Sequence, residues 1–297
     1  MKKKKIKISK ADRIYYGFCY AIAVLLTLIV LIPIMHILAV SFSSPGAVSS
    51  GKVTIFPTEF SLQAYKTVLA YQKIWIGYRN TVIYTAVGTF LSVFVTMLAA
   101  YPLSRKEMYG RKGITLYFTF IMFFGGGIIP GYLLMKSLRL LNTPIAAFIT
   151  GLFSTYNMIV ARTFIQTNIS GELTDAAKID GAGDIKIFHT IVLPLSKTII
   201  AVIALWNAVG FWNSYFTPFI YINDNNLYPL QLFLREILVS NDVSTDLINM
   251  EMAAEIAEIK KLMKYSVIVV STAPLMFFYP FAQKHFVKGV MIGSVKG

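Results

Sequence analysis

The chain has 297 residues, 56% of them hydrophobic, and its mean hydropathy of +0.63 is too high for an ordinary soluble domain. Lysine and arginine outnumber aspartate and glutamate by 28 to 14, for a net charge of +14. Such a charge raises the question of nucleic acid, but the hydropathy turns the reading to a membrane protein whose cations flank its spans.

Residues 1–15 form a basic tail, and the apolar run that follows, over about 16–42, is long enough to cross a bilayer. It is longer than the apolar core of a signal peptide, so an uncleaved signal anchor is expected even though Ala39 and Ser41 mimic a cleavage site. Cys19 is the single cysteine; it can form no internal disulfide and reads as a small packing residue of this span. Five more spans are expected, at about 77–103, 114–136, 142–165, 193–222 and 265–283. All six must be helical, because lipid satisfies no backbone polar group. The class expected is therefore an all-α membrane protein with six transmembrane helices, divided into a cytoplasmic tail at 1–15, a transmembrane domain at 16–283 and a cytoplasmic tail at 284–297.

With residues 2–13 inside, Arg105, Lys106, Arg111, Lys112 and the 166–192 loop fall inside too, as do both termini. Residues 43–75, a tight turn near Asn142 and residues 223–264 fall outside; Lys260, Lys261 and Lys264 weaken the charge bias there, which a long loop tolerates. Over 250–263, Met252, Ile256, Ile259 and Met263 keep helical spacing, which suits either a surface amphipathic helix or the start of the sixth span.

Polar marks inside the spans are candidates for a solute path, although for Asn80, Tyr84, Asn157 and Arg162 a structural role is the favoured reading. Asn80 and Tyr84 stand one helical turn apart in the second span, and Asn157 and Arg162 lie in the fourth, where Arg162 near the span end reads as a snorkelling cation. The third span carries Gly125, Gly126, Gly127, Pro130 and Gly131, a weak point that serves either as a gate hinge or as close helix packing, packing being the favoured reading. In the fifth span Trp206, Asn207, Phe211, Trp212 and Asn213 interrupt an apolar helix. Indole faces stack on sugar rings and amides bond hydroxyls, which suits a carbohydrate path; interhelical packing explains the same residues.

Between the fourth and fifth spans, residues 171–195 read GELTDAAKIDGAGDIKIFHTIVLPL. Ser170 is placed to cap a helix with Glu172 and Asp175 near its positive end, Leu173, Ala176 and Ala177 share one narrow face, and Gly181 is placed to end the helix in left-handed geometry. Asp184 is placed to cap a second short helix with Ile185, Phe188 and Ile191 on its apolar side, until Pro194 opens the next span. The expected product is two small helices joined by a sharp bend.

This segment resembles the cytoplasmic coupling loop of permease subunits in binding-protein-dependent ABC importers. The family pattern of Glu-Ala-Ala, three residues, Gly, nine residues, Ile, one residue and Leu-Pro is met by Asp175, Ala176, Ala177, Gly181, Ile191, Leu193 and Pro194, with Asp replacing the leading Glu. The terminus GVMIGSVKG and the third-span GGGIIP are similar to the LplC-like branch of the maltose-type carbohydrate permeases. The resemblance implies a type I importer permease fold and a loop, with Glu172 and Asp180 on its polar rim, that docks on an ATPase. It implies as partners a second homologous permease, two copies of the ATPase, an extracellular solute-binding lipoprotein, an oligosaccharide substrate and membrane lipid, with ATP and magnesium held by the ATPase and no cofactor on this chain.

No enzyme signature accompanies it. There is no phosphate-cradling Gly-x-x-x-x-Gly-Lys-Ser loop, and His36, His189 and His285 are too scattered for a metal cluster. A secondary transporter would show repeated halves or buried ionisable residues, neither of which is evident; an importer permease for a non-carbohydrate solute such as an amino acid or peptide is the runner-up.

Overall fold

The computed structural model describes residues 9–239, 262–277 and 280. The expectations for the terminal motif and for most of 250–263 lie outside them. The described residues are helical throughout apart from connecting segments and one isolated antiparallel bridge, Ser43 to Phe60. The chain divides into two compact units.

The first unit holds α1 (Lys10–Ser41), α2 (Pro45–Ser49) and α3 (Gln63–Ala70). At 1.5 Å per residue, the 32 residues of α1 extend about 48 Å, more than a hydrocarbon core. Leu25, Leu26 and Ile29 on it are more than half exposed, as a lipid-facing helix requires. Its end is tied down by hydroxyls: Ser43 Oγ donates to the Ala39 carbonyl at 2.6 Å and accepts the Thr58 amide at 3.0 Å, and Ser41 Oγ pairs with the Tyr65 hydroxyl at 2.8 Å. Burial pushes the Tyr65 phenol above its ordinary pKa against the opposing pull of that hydrogen bond. Ala39, Val40, Ala47, Val48, Val53 and Ala64 form a small core with Leu262.

The second unit is built around α4 (Gln72–Ser104). Two bent pairs follow: α5 (Arg111–Phe123) with α6 (Ile128–Ser137), turned by 112°, and the 3-10 stretch 144–151 with α7 (Thr155–Asn168), turned by 54°. Next come α8 (Gly171–Ile179), α9 (Asp184–Ile187), a π-turn at Phe188–Val192, α10 (Leu193–Leu195), α11 (Lys197–Trp212), α12 (Phe216–Tyr221) and α13 (Leu230–Val239). The helices α11, α7 and α13 pack on α4. A further apolar helix, α14, runs Leu262–Phe277.

Only α1 and α4, among the described helices, are long and apolar enough to cross a membrane alone; three bent pairs meet the same test jointly, α5 with α6, residues 144–151 with α7, and 184–195 with α11. Three of the runs expected as single spans are thus broken, one of them at the third-span glycines already marked as a weak point. The 114–136 run is interrupted at Phe124–Gly127, where Gly127 has φ +82°, and the 193–222 run ends its helix at Trp212 before α12. Hydropathy measures how apolar a run is and carries no signal for a bend within it.

A Cβ on Gly125, Gly126 or Gly127 would meet nothing within 4 Å in this chain, whereas one on Gly131 would come within 3.3 Å of the Tyr221 hydroxyl. Closer approach occurs at Gly77, where Leu230 and Phe233 of α13 come within 2.9 Å of a built Cβ, and at Gly88 and Gly151, which flank the Phe211 ring. Missing side chains there let α4 meet α13 and α11 closely.

Candidate functional site

The bend between α7 and α11 is closed by backbone geometry. Asp180 caps α8 through its amide to the Ala176 carbonyl at 3.0 Å, Gly181 adopts φ +79°, and the Ala182 amide returns to the Ala177 carbonyl at 2.9 Å. This is the 6→1 bond of a glycine-terminated helix, and a residue with a Cβ would be strained at Gly181. Two capping expectations need correction. Ser170 occupies the N-cap position but its hydroxyl makes no cap bond; Thr174, one turn on, donates to the Gly171 carbonyl. Gly183, not Asp184, is the N-cap of α9, and Asp184 is its first residue.

The second arm is anchored in the core. Ile187, Phe188 and Val192 are buried with Met97, Ala100, Tyr101 and Leu103 of α4, Met158, Ala161 and Ile165 of α7, and Ile199 and Ile203 of α11. The Phe188 and Tyr101 rings lie 5.5 Å apart. Ala177, Ala182, Ile191 and Leu193 pack at the edge of this cluster. The expected apolar side of Ile185, Phe188 and Ile191 is thus only partly right: Phe188 is buried and Ile191 half-buried, but Ile185, in α9 ahead of the π-turn, is 79% exposed. Pro194 sits within α10, and the next long helix begins after a 78° turn at Lys197.

The first arm points apolar groups outward. Leu173 is 45% and Ile179 87% exposed, and Ala176 is exposed with Glu172, Asp175, Asp180 and Gly181 around it. Ile179 is the residue that sequence reasoning passed over, an isolated aliphatic in a polar stretch, and Ile185, expected on the apolar side of the second helix, faces outward as well. Arg105, at the end of α4, holds the arm in place: its Nη1 donates to Thr174 Oγ1, and Nη2 lies 3.9 Å from Asp175 Oδ1 and 3.7 Å from Glu107 Oε2. Lys178 Nζ donates to Glu107 Oε2 at 3.2 Å. That bond, and then the Arg105 charge, hold the Glu107 carboxyl below its ordinary pKa.

The polar residues of the spans separate into two groups. Trp206 and Asn207 line a cleft of about 180 Å³ with Thr150, Phe211, Ser214 and Thr217. Trp206 is about one-third exposed and packs on Tyr156 at 5.9 Å between centroids; Asn207 gives one amide hydrogen to the Ile203 carbonyl. The others are not brought to it. Asn80 Nδ2 donates to the Asn226 and Tyr228 carbonyls at 2.7 and 3.0 Å, and the Tyr84 hydroxyl to the Leu227 carbonyl at 3.0 Å, so both tie the 224–228 loop to α4. Asn157 is buried in the first turn of α7. Trp212 is buried with Nε1 donating to the Ser271 carbonyl at 3.1 Å, and Asn213 Nδ2 donates back to the Val209 carbonyl at 2.9 Å. Among the described residues no three His, Cys, Asp or Glu side chains gather as a metal site.

No protein-family model matches the chain. It is 40% identical over 287 residues to the polygalacturonan/rhamnogalacturonan transport system permease protein YtcP of Bacillus subtilis (strain 168), covering 96% of this chain and 98% of that one. To protein LplC of the same organism it is 39% identical over 269 residues, with 91% and 90% covered. Its fold matches a chain in the crystal structure of a bacterial ABC transporter involved in the import of the acidic polysaccharide alginate, with a TM-score of 0.86, 31% identity, and 95% and 100% of the two chains covered. With relatives of this identity and coverage, the chain belongs to the permease subunits of carbohydrate ABC importers, multi-pass membrane proteins that are not themselves the ATPase.

Proposed function

We propose that this chain is one half of the membrane pore of an ATP-driven importer of oligosaccharides or polysaccharide fragments, working with a second permease, two ATPase copies and a solute-binding lipoprotein. The observation that carries this reading is the α8–α9 bend, with Leu173, Ala176, Ile179 and Ile185 facing out while Ile187, Phe188 and Val192 are rooted in the core. A pair of helices built this way transmits a push: force on the exposed arm reaches α4, α7 and α11 through packed side chains that do not compress. ATP and magnesium bind on the ATPase, whose closure carries the bend with it and opens the pore half to the opposite side.

The reading takes six crossings with both termini cytoplasmic: α1 and α4 suit one crossing each, the three bent pairs one each if each pair is a single span, and the shorter apolar helix α14 is assigned the sixth. The solute meets the Trp206 cleft, where an indole, an amide and hydroxyls suit a polyol ring. At about 180 Å³ the cleft is smaller than ordinary ligand sites of roughly 300–1,000 Å³, so the second permease supplies the facing wall. The names of the relatives, polygalacturonan/rhamnogalacturonan and the acidic polysaccharide alginate, support polysaccharide fragments as the substrate class.

The test is ATP hydrolysis by the reconstituted assembly with and without loaded binding protein. Hydrolysis should rise with loaded protein, and Gly181→Val, strained at φ +79°, should keep basal hydrolysis while losing uptake. Undiminished uptake by this variant would remove the bend from the mechanism.

A further inference from the structure

Beside the bend, the ends of α4, α5, α7 and α8 enclose a second cavity, of about 570 Å³. Four cations line it, Arg105, Lys106, Arg111 and Arg162, against two carboxylates, Glu107 and Asp175. The arginines converge on one another. Arg111 Nη1 donates to the Arg105 carbonyl at 3.4 Å, and Thr115 Oγ1, which donates to the Arg111 carbonyl one turn earlier, accepts from Arg162 Nη1 at 3.5 Å.

Two of the guanidinium nitrogens, Arg105 Nη2 and Arg162 Nε, are shielded from solvent and have no hydrogen-bond acceptor. The carboxylates do not supply one, since Glu107 and Asp175 stand 3.7 and 3.9 Å from Arg105 Nη2, beyond hydrogen-bond reach. A shielded charged donor left unmade is costly, and its ordinary explanation is a missing anion or water. An excess of cations about one cavity also repels itself unless an anion sits among them.

We infer that this cavity binds a phosphoryl-bearing anion through Arg105, Arg111 and Arg162. Guanidinium forks match phosphate oxygens in pairs, and the cavity has room for more than a bare ion. It lies where α4 ends at Ser104 and α5 begins at Arg111, the level at which spans meet lipid headgroups. A lipid phosphate and a soluble phosphate share the chemistry required. The site does not depend on the solute, while Arg105, Thr174 and Asp175 are shared with the α8 arm.

The test uses the whole transporter in nanodiscs with two arms. In the lipid arm, phosphatidylglycerol retained on the permease through exchange into phosphatidylcholine is read by native mass spectrometry. In the soluble arm, radiolabelled inorganic phosphate is titrated in phosphatidylcholine alone, the ATPase sites contributing equally to wild type and variants. Saturable binding in either arm, weakened at least about tenfold by Arg111→Gln with Arg162→Gln, supports the site and names its source. If that double variant fails to assemble, Lys106→Glu on the exposed rim should weaken binding several-fold. No binding in either arm, or full binding by every assembled variant, overturns the inference.

Discussion

Gly77→Ala tests the packing of α13 on α4. The added methyl carbon would lie 2.9 Å from Leu230 Cα and Phe233 Cδ2 and 3.1 Å from Leu230 N. Ordinary carbon contacts lie at about 3.5–4.0 Å, so α13 must retreat by roughly half an ångström or more. It is not free to do so, because the Leu230 amide donates to Thr81 Oγ1 at 2.8 Å and both Leu230 and Phe233 are 1% exposed. Overpacking costs about 1–3 kcal/mol, and with α13 pinned the cost falls in the upper part of that range, so that an offset of at most about 1 kcal/mol from the better helix propensity of alanine leaves a net loss of about 1–2 kcal/mol. Gly113→Ala in α5 is the control, since nothing lies within 4 Å of its built Cβ and only the propensity gain applies. Thermal unfolding of the purified assembly at a fixed heating rate should place Gly77→Ala about 2–6 °C below wild type and Gly113→Ala at or above it. A Gly77→Ala protein as stable as wild type, or equal losses in the two variants, would refute the packing argument.

Trp206→Ala should reduce uptake about tenfold through a raised KM with assembly intact, as loss of one ring-stacking surface implies, whereas Trp212→Leu should act on stability by about 1–3 kcal/mol, because it leaves the Ser271 carbonyl without its indole donor. Uptake kinetics and unfolding measured side by side check this; the reverse pattern would reassign the cleft. The third prediction concerns Glu107, whose folded pKa is depressed by Lys178 and then Arg105, so its contribution is full above the ordinary value of 4.5 and is lost as pH falls through the lower folded value. Wild type should therefore lose stability more steeply than Glu107→Gln on acidification below 4.5; parallel curves would mean that the Glu107 to Lys178 link contributes nothing.

The α8–α9 bend was legible because its signals are local. A glycine that must take positive φ and a proline at fixed spacing are set by residues near one another in the chain, although Ala176 and Ala177, expected on one face, part: Ala176 is exposed and Ala177 packs at the edge of the core. The helical class was legible for a similar reason, since long apolar runs leave the backbone no other choice. What escaped depends on partners distant in sequence. Asn80 and Tyr84 looked available for solute until the 224–228 loop, more than 140 positions away, claimed their polar atoms. Trp206 and Trp212 look alike in sequence, yet one lines a cleft and the other donates to Ser271, and only tertiary packing tells them apart. The bends at 124–127 and 196 and the π-turn before α10 follow from breaks in hydrogen bonding that average hydropathy does not register.

The account rests on the exposed arm of α8 meeting a separate ATPase, and disulfide crosslinking tests that contact most directly. Cys19 is the single native cysteine, so a Cys19→Ser background permits Ile179→Cys, at an 87% exposed position, to be paired with cysteines introduced on the ATPase surface. In a transport-active assembly this pair should crosslink readily, and with a yield that changes between ATP-bound and nucleotide-free states. Absence of any crosslink from Ile179→Cys or Ala176→Cys in an assembly that still imports its solute would contradict the account.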